Sequence, residues 1–139
     1  MEKETIEEIK KLNQEVKKII TTSSESNIKV IYRNDFTLDS MKQNISKEKV
    51  DKALLEGLHL EDKHLYPDNP NKKHKGKNYY CIHGDKTSLI YVEYILISYL
   101  KKPVHITLFH VSSLSYGSKE QRKYEEIQKS LKDFSSKKA

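Results

Sequence analysis

The chain has 139 residues, enough for one domain and for a core that needs no disulfide or metal staple. Apolar residues make up only 35% and charged residues 33%, so the core has to be concentrated, and 26 Lys+Arg against 20 Asp+Glu leave a formal charge of +6 that favours polyanions. A lone cysteine, Cys81, excludes an internal disulfide and a multi-thiolate metal site, and the acidic start MEKETIEEIKKL without any span-length apolar run points to a cytoplasmic protein with no signal peptide and no membrane contact.

Ile6, Ile9, Leu12, Val16, Ile19 and Ile20 recur at helical spacing and predict an amphipathic helix within residues 1–22. IKVIY predicts a strand over 28–32. Leu38, Met41 and Ile45 mark a short helix; Ser46 caps a second, with Val50, Ala53 and Leu54 facing inward and Gly57 ending it. Residues 58–78, with two prolines and Gly76, are expected to form a long loop. A strand over 78–83, a buried helix over 86–101 and a strand over 104–111 follow, the helix being favoured by its length, by Asp85 or Thr87 as a cap and by Lys101, Lys102 and Pro103 as a stop. This strand-helix-strand core, 79–111, implies two parallel strands. A capping-box pattern at Ser118 and Gln121 opens a terminal helix over 118–134, with Tyr124, Ile127, Leu131 and Phe134 on one face. The expected fold is a single α/β or α+β domain spanning 1–139, with three to four strands in a mixed sheet flanked by helices and amphipathic helices at both termini.

Three places carry candidate chemistry. In HGDKTS, Gly84 takes a tight turn, and the N-terminus of the predicted helix would let Gly84, Lys86, Thr87 and Ser88 bind phosphate. In KKHKGKNYY, Lys72, Lys73, Lys75 and Lys77 followed by Tyr79 combine charge with an aromatic ring, which suits nucleic acid. With Arg33 and Arg122 as the only arginines, nonspecific phosphate contact is better supplied than bidentate base reading. In VHITLFHV, alternation puts residues 105, 107 and 109 on one face and 106, 108 and 110 on the other. His59, His64 and His74 with Glu61 and Asp62 are read as solvated loop residues, so no metal is expected. Cys81 is expected mid-strand, buried and inert.

The stretch YYCIHGDKTSLIYVEYILISYLKKPVHITLFHV, residues 79–111, resembles the strand, glycine turn, helix and strand of the ParB/sulfiredoxin-like superfamily. The resemblance implies a phosphate-facing turn and binding through Gly84, Lys86 and Thr87; His83 and Thr87 stand near the places where that family carries an acid and an arginine. VIYRNDFTLDSMKQ, residues 30–43, resembles the arginine strand of the cholera-toxin-like ADP-ribosyltransferases, which implies Arg33 on the phosphates of NAD. His105 followed by Thr107 resembles one of the two His-x-Thr motifs of the 2H phosphoesterases, which implies acid–base work on a phosphodiester.

The leading expectation is a small basic cytosolic domain that binds nucleic acid or a nucleotide phosphate, non-catalytic and without a cofactor. One alternative is an enzyme acting on phosphate-containing substrates, with His105, His83 and Arg33 as catalytic candidates. Another is an interaction protein of the kind that mobile elements or viruses carry, engaging a protein partner or a second copy through its terminal helices.

Overall fold

The structure is a computed structural model that describes residues 2–22, 29–32, 37, 40–67, 78–85, 88–99 and 102–138, with side chains over 2–21, 37, 40–67, 78–85, 88–96 and 106–134. The first helix, α1, spans Lys3–Thr22; its stripe of Ile6, Ile9, Leu12, Val16 and Ile19 is buried throughout. β1, Lys29–Tyr32, follows. α2, Lys47–Glu56, begins where the Ser46 hydroxyl accepts from the Lys49 amide at 3.2 Å and buries Val50, Ala53 and Leu54. It ends where the Gly57 amide donates to the Ala53 carbonyl at 2.7 Å. A Cβ on Gly57 would lie 2.4 Å from that carbonyl and 2.7 Å from Cys81 Sγ, so glycine is the residue that allows this close approach.

The expected loop over 58–78 starts instead with β2, Leu58–Glu61, and a single helical turn, α3, Asp62–Leu65. LHLE reads as polar because of its histidine, yet His59 is fully buried between Leu58 and Leu60. β3, Asn78–Asp85, matches the expected strand. The largest correction concerns the helix expected over 86–101: Ser88–Tyr99 forms strand β4. β4 is central and covered on both sides, so its alternate residues Val92 and Tyr94 enter one apolar cluster while Leu89 and Tyr91 enter another. Such a strand is apolar all round, as a buried helix is, and its β-branched and aromatic residues decide between the two. Lys102 and Pro103, expected to stop a helix, open β5, Lys102–Leu114; Pro103 stands opposite Ser98 at an irregularity of the ladder, where its missing N–H is tolerated. The terminal helix α4, Lys119–Lys138, starts as expected, with the Gln121 amide donating to the Ser118 hydroxyl at 3.2 Å.

The five strands form one mixed sheet in the order β1-β5-β4-β3-β2. The pairs β2–β3, β3–β4 and β4–β5 are antiparallel, and the parallel pair is β1 with β5 rather than β3 with β5. The domain is thus a small α/β unit with helices on a mixed sheet, as expected, with one strand more than the three to four anticipated. Glu93 pairs with His110 and Tyr94 with Leu108, which leaves Phe109 as a β-bulge. The bulge puts His110 on the opposite face from Leu108, against the simple alternation, and its ring meets Tyr91 edge-on at 6.3 Å.

One face of the sheet, with Cys81, Val92, Tyr94, Ile106, Leu108 and Val111, packs on α1 and α2 through Leu12, Val16, Ile19, Val50, Ala53 and Leu54. The other, with Leu60, Tyr80, Ile82, Leu89 and Tyr91, packs on α3 and α4 through Leu65, Tyr124 and Ile127, and takes Ile9 from α1. The apolar stripes of both terminal helices are therefore used inside the domain. α1 straddles the β2 edge, and the Asn13 side chain seals it: Nδ2 donates to the His59 carbonyl at 2.9 Å and Oδ1 accepts from the His59 amide at 2.7 Å, as a neighbouring strand would. Replacing Asn13 with Ala leaves both His59 backbone groups without partners in a half-buried place and is expected to destabilise the fold by about 2–3 kcal/mol. Urea midpoints of wild type and N13A measure this; an unchanged midpoint contradicts the sealing role.

Candidate functional site

The polar groups that invite a catalytic reading are mostly held by the fold. Cys81 and His59 are cross-strand neighbours on β3 and β2, both fully buried, with Sγ 3.8 Å from Nε2. They look like a thiol–imidazole pair, but their protons point elsewhere. The Cys81 thiol donates to the Ala53 carbonyl at 3.0 Å. His59 Nε2 lies 2.8 Å from the Leu54 carbonyl, which can only accept, so Nε2 carries the proton and Nδ1 accepts from the Tyr94 hydroxyl at 2.8 Å. Both side chains thus satisfy carbonyls in the last turn of α2. Burial drives the Cys81 thiol pKa strongly upward, which keeps it un-ionised and inert as expected, and pushes His59 down to about 4.

His64, also expected in a solvated loop, is buried in α3. Its Nδ1 accepts from the Glu61 amide at 3.1 Å and its Nε2 faces Glu8 Oε1 at 3.1 Å. One ligand atom each from Glu8, Glu61 and His64 lies within 4.8 Å of the others, a spacing that a metal ion could bridge. The tautomer argues against it. A ligating Nε2 would move the proton to Nδ1, against the Glu61 N–H, and the Lys63 ammonium already pairs with Glu8. The hydrogen bond from Lys63 holds the Glu8 carboxyl down to about 2, while burial, followed by the proximity of Glu8, raises Glu61. The cluster is an ion-pair clasp between α1 and α3. Asp62, buried beside it, accepts from the Tyr80 hydroxyl at 2.8 Å.

The phosphate turn expected at 83–88 has lost its helix. β3 and β4 pair down to Asp85 opposite Ser88, so Gly84 and Ser88 belong to a hairpin ladder and no helix N-terminus faces an anion there. Gly84 is required by the backbone: its φ is +133° and a Cβ would come within 2.0 Å of the Ser88 carbonyl. Lys86 and Thr87 lie outside the described residues, as do Arg33, Lys72, Lys73, His74, Lys75 and Lys77. Tyr79, expected as a stacking platform for nucleic acid, is half-buried and stacks on Tyr94 at 5.6 Å, so that face of its ring is occupied. His83 stands opposite Ile90 and His105 opposite Ile97, on the two strands that flank β4. Seven residues along β4 separate them by roughly 23 Å, too far for an acid–base pair on one phosphodiester.

What the fold does assemble around His83 and Gly84 is a groove of about 840 Å³ between α1 and α4, at the end of β2 and β3. Lys10 and Lys17 enter it from α1, Lys132 from α4, and Glu56 is the one carboxylate of its lining. His83 Nε2 stands 3.5 Å from Glu56 Oε2. Lys10 also spans the helix pair, its ammonium 4.6 Å above the Phe134 ring. A second groove of about 540 Å³ shares Gly84 and Lys132 and adds Lys129 together with the carboxylates of Asp85 and Glu125. Sequence reasoning places His83 and Gly84 here but misses the helix lysines. Their signal was position: Lys10 and Lys17 sit a heptad apart beside the apolar stripe of α1. Compared with family models, with curated proteins and with solved structures, the chain matches none.

The tautomer and burial of His59 set a pH dependence. Unfolded, it takes up a proton near 6.5; folded, only near 4. Its contribution to stability is complete above about pH 6.5 and is lost as the pH falls toward 4, because the unfolded chain then holds the extra proton. The loss is about 3 kcal/mol. Urea unfolding at pH 7.0, 5.5 and 4.5 measures it, and His59→Gln is expected to be less stable at pH 7 but to lose much of that slope; an equal slope in the variant contradicts the assignment.

Proposed function

We propose that the protein is a non-catalytic binding domain for nucleic acid or a nucleotide phosphate, and that the ligand lies in the groove between α1 and α4. The observation that carries this reading is the convergence of Lys10, Lys17 and Lys132 from two helices on one concave surface beside His83, with Glu56 as the sole lining carboxylate. Concavity between low-dielectric walls concentrates the field of such a set and favours polyanions beyond what the net charge alone supplies. The binding reading is also supported by the state of the other described groups: Cys81, His59 and His64 have their protons committed to structural contacts.

Fluorescence anisotropy with labelled 20-nucleotide oligothymidylate and oligouridylate tests the proposal. If three lysines each neutralise one phosphate, log affinity falls against log salt with a slope of about −2. Replacing Lys17 and Lys132 with Glu together is expected to lower affinity at least tenfold and to flatten the slope to less than half. No binding at 50 mM salt, or a double variant with wild-type affinity and slope, removes the proposal.

A further inference from the structure

We infer that Glu56 is the specificity-determining residue of the α1–α4 groove: its carboxylate accepts from an uncharged donor of the nucleotide, a base amine or a ribose hydroxyl, while the lysines hold phosphate. This rests on the groove reading above and deepens it. Among the described residues that line the groove, the lysine, asparagine, glutamine, histidine and tyrosine side chains all carry N–H or O–H donors. Glu56 is the one group there that only accepts. A phosphate oxygen has no proton to offer such a group and is repelled by its charge, so the part of a nucleotide that Glu56 favours is a neutral donor.

The fold gains little from a carboxylate at this position. Glu56 is the last residue of α2, whose last turn carries no basic residue, and the negative end of a helix disfavours an anion. Lys52, one turn back, stands 4.0 Å away with both side chains more than half exposed, a pair that contributes little. His83 Nε2 is the other contact, at 3.5 Å, and like Lys52 it meets Oε2 rather than Oε1. An acceptor set against the local rule, weakly paired and 56% exposed beside a basic cleft, fits a binding role better than a structural one. The preference follows from what each nucleotide presents. Cytosine offers a carboxylate its N4 amine, whereas uracil and thymine carry the O4 carbonyl in that place, which a carboxylate repels. On the sugar, the 2′-hydroxyl of RNA is a donor that DNA lacks.

The test compares 12-mers of deoxyuridylate, deoxycytidylate and uridylate at 50 mM salt. Deoxycytidylate differs from deoxyuridylate in the base amine, and uridylate differs from it in the 2′-hydroxyl, so the two donors are read separately. The wild type is expected to bind at least one of these two more tightly than deoxyuridylate, by about threefold or more, and the one that gains identifies the donor. Glu56→Gln keeps the shape, removes the charge and offers either a donor or an acceptor. It is expected to raise affinity for all the oligonucleotides, because an anion leaves the groove, and to bring the preference below about twofold. A carboxylate acting through charge alone would shift every affinity by one factor and leave the ratios unchanged. Equal wild-type affinities, or a preference that survives in Glu56→Gln, overturn the inference while leaving the groove reading intact. Failure of every oligonucleotide to bind overturns both.

Discussion

The contact on which the rest of the structure depends is the pair of hydrogen bonds between the Asn13 side chain and the backbone of His59. A sheet that ends in β2 presents an unpaired N–H and C=O at its rim, and an amide side chain is the smallest group that can satisfy both at once. Because that amide belongs to α1, the same contact fixes the helix in rotation and in height against the sheet. Ile9 then falls on one side of the β2 edge and Leu12, Val16 and Ile19 on the other, each in a different apolar cluster. A single helix thereby closes an edge and joins two cores. The Asn13 amide also donates back to the Ile9 carbonyl at 2.7 Å, which ties its rotamer to the helix that carries it.

His59 and Cys81 extend the same logic inward. The last carbonyls of α2 retain acceptor capacity, Ala53 beyond the bond it takes from the Gly57 amide, and they are buried where water cannot reach. The fold meets them with an imidazole N–H and a thiol from two adjacent strands, at 2.8 Å and 3.0 Å. Those polar residues make no exposed site, yet leaving the Leu54 carbonyl unmatched would be costly. Their proximity to each other follows from the cross-strand register, and the direction of their protons shows that the proximity has no chemical use. His64 is a parallel case at the other end of β2, where a backbone amide selects its tautomer and the remaining nitrogen donates its proton to Glu8.

Much of this was legible in the sequence wherever a local rule was sufficient. The stripe of α1, the Ser46 cap, the inward triplet Val50, Ala53 and Leu54, the Gly57 stop and the Ser118 start of α4 each depend on residues within one or two turns. Three features were not legible for one shared reason: they are set by what lies beside the segment. β4 is apolar on both faces because helices cover both, so its periodicity carries no sign of a strand. His59 looks like a loop residue because its partners, Leu54, Tyr94 and Asn13, come from elements distant in the chain. The bulge at Phe109 displaces His110 to the face of Tyr91, and nothing in VHITLFHV marks which residue is the extra one. Once β4 is a strand, the anion-facing helix terminus after Gly84 no longer exists, and the described lysines that converge on one surface lie elsewhere.

They are found on the flanks of the two terminal helices. A lysine bordering an apolar stripe can lay its methylene stem along the core and keep its charge in water, so it is tolerated there whatever the function. On an isolated helix that is all it signifies. The sealing of the β2 edge changes the meaning, because it brings the flank of α1 carrying Lys10 and Lys17 toward the flank of α4 carrying Lys132, over the end of a strand whose Gly84 and His83 leave room between them. Charge that composition shows only as an excess spread along the chain becomes a local field in a cleft. The candidate site is therefore a product of the edge contact and not of a motif: the heptad spacing of Lys10 and Lys17 places them on one flank of α1, and only the docking of that helix at the β2 edge makes the flank a wall of the groove.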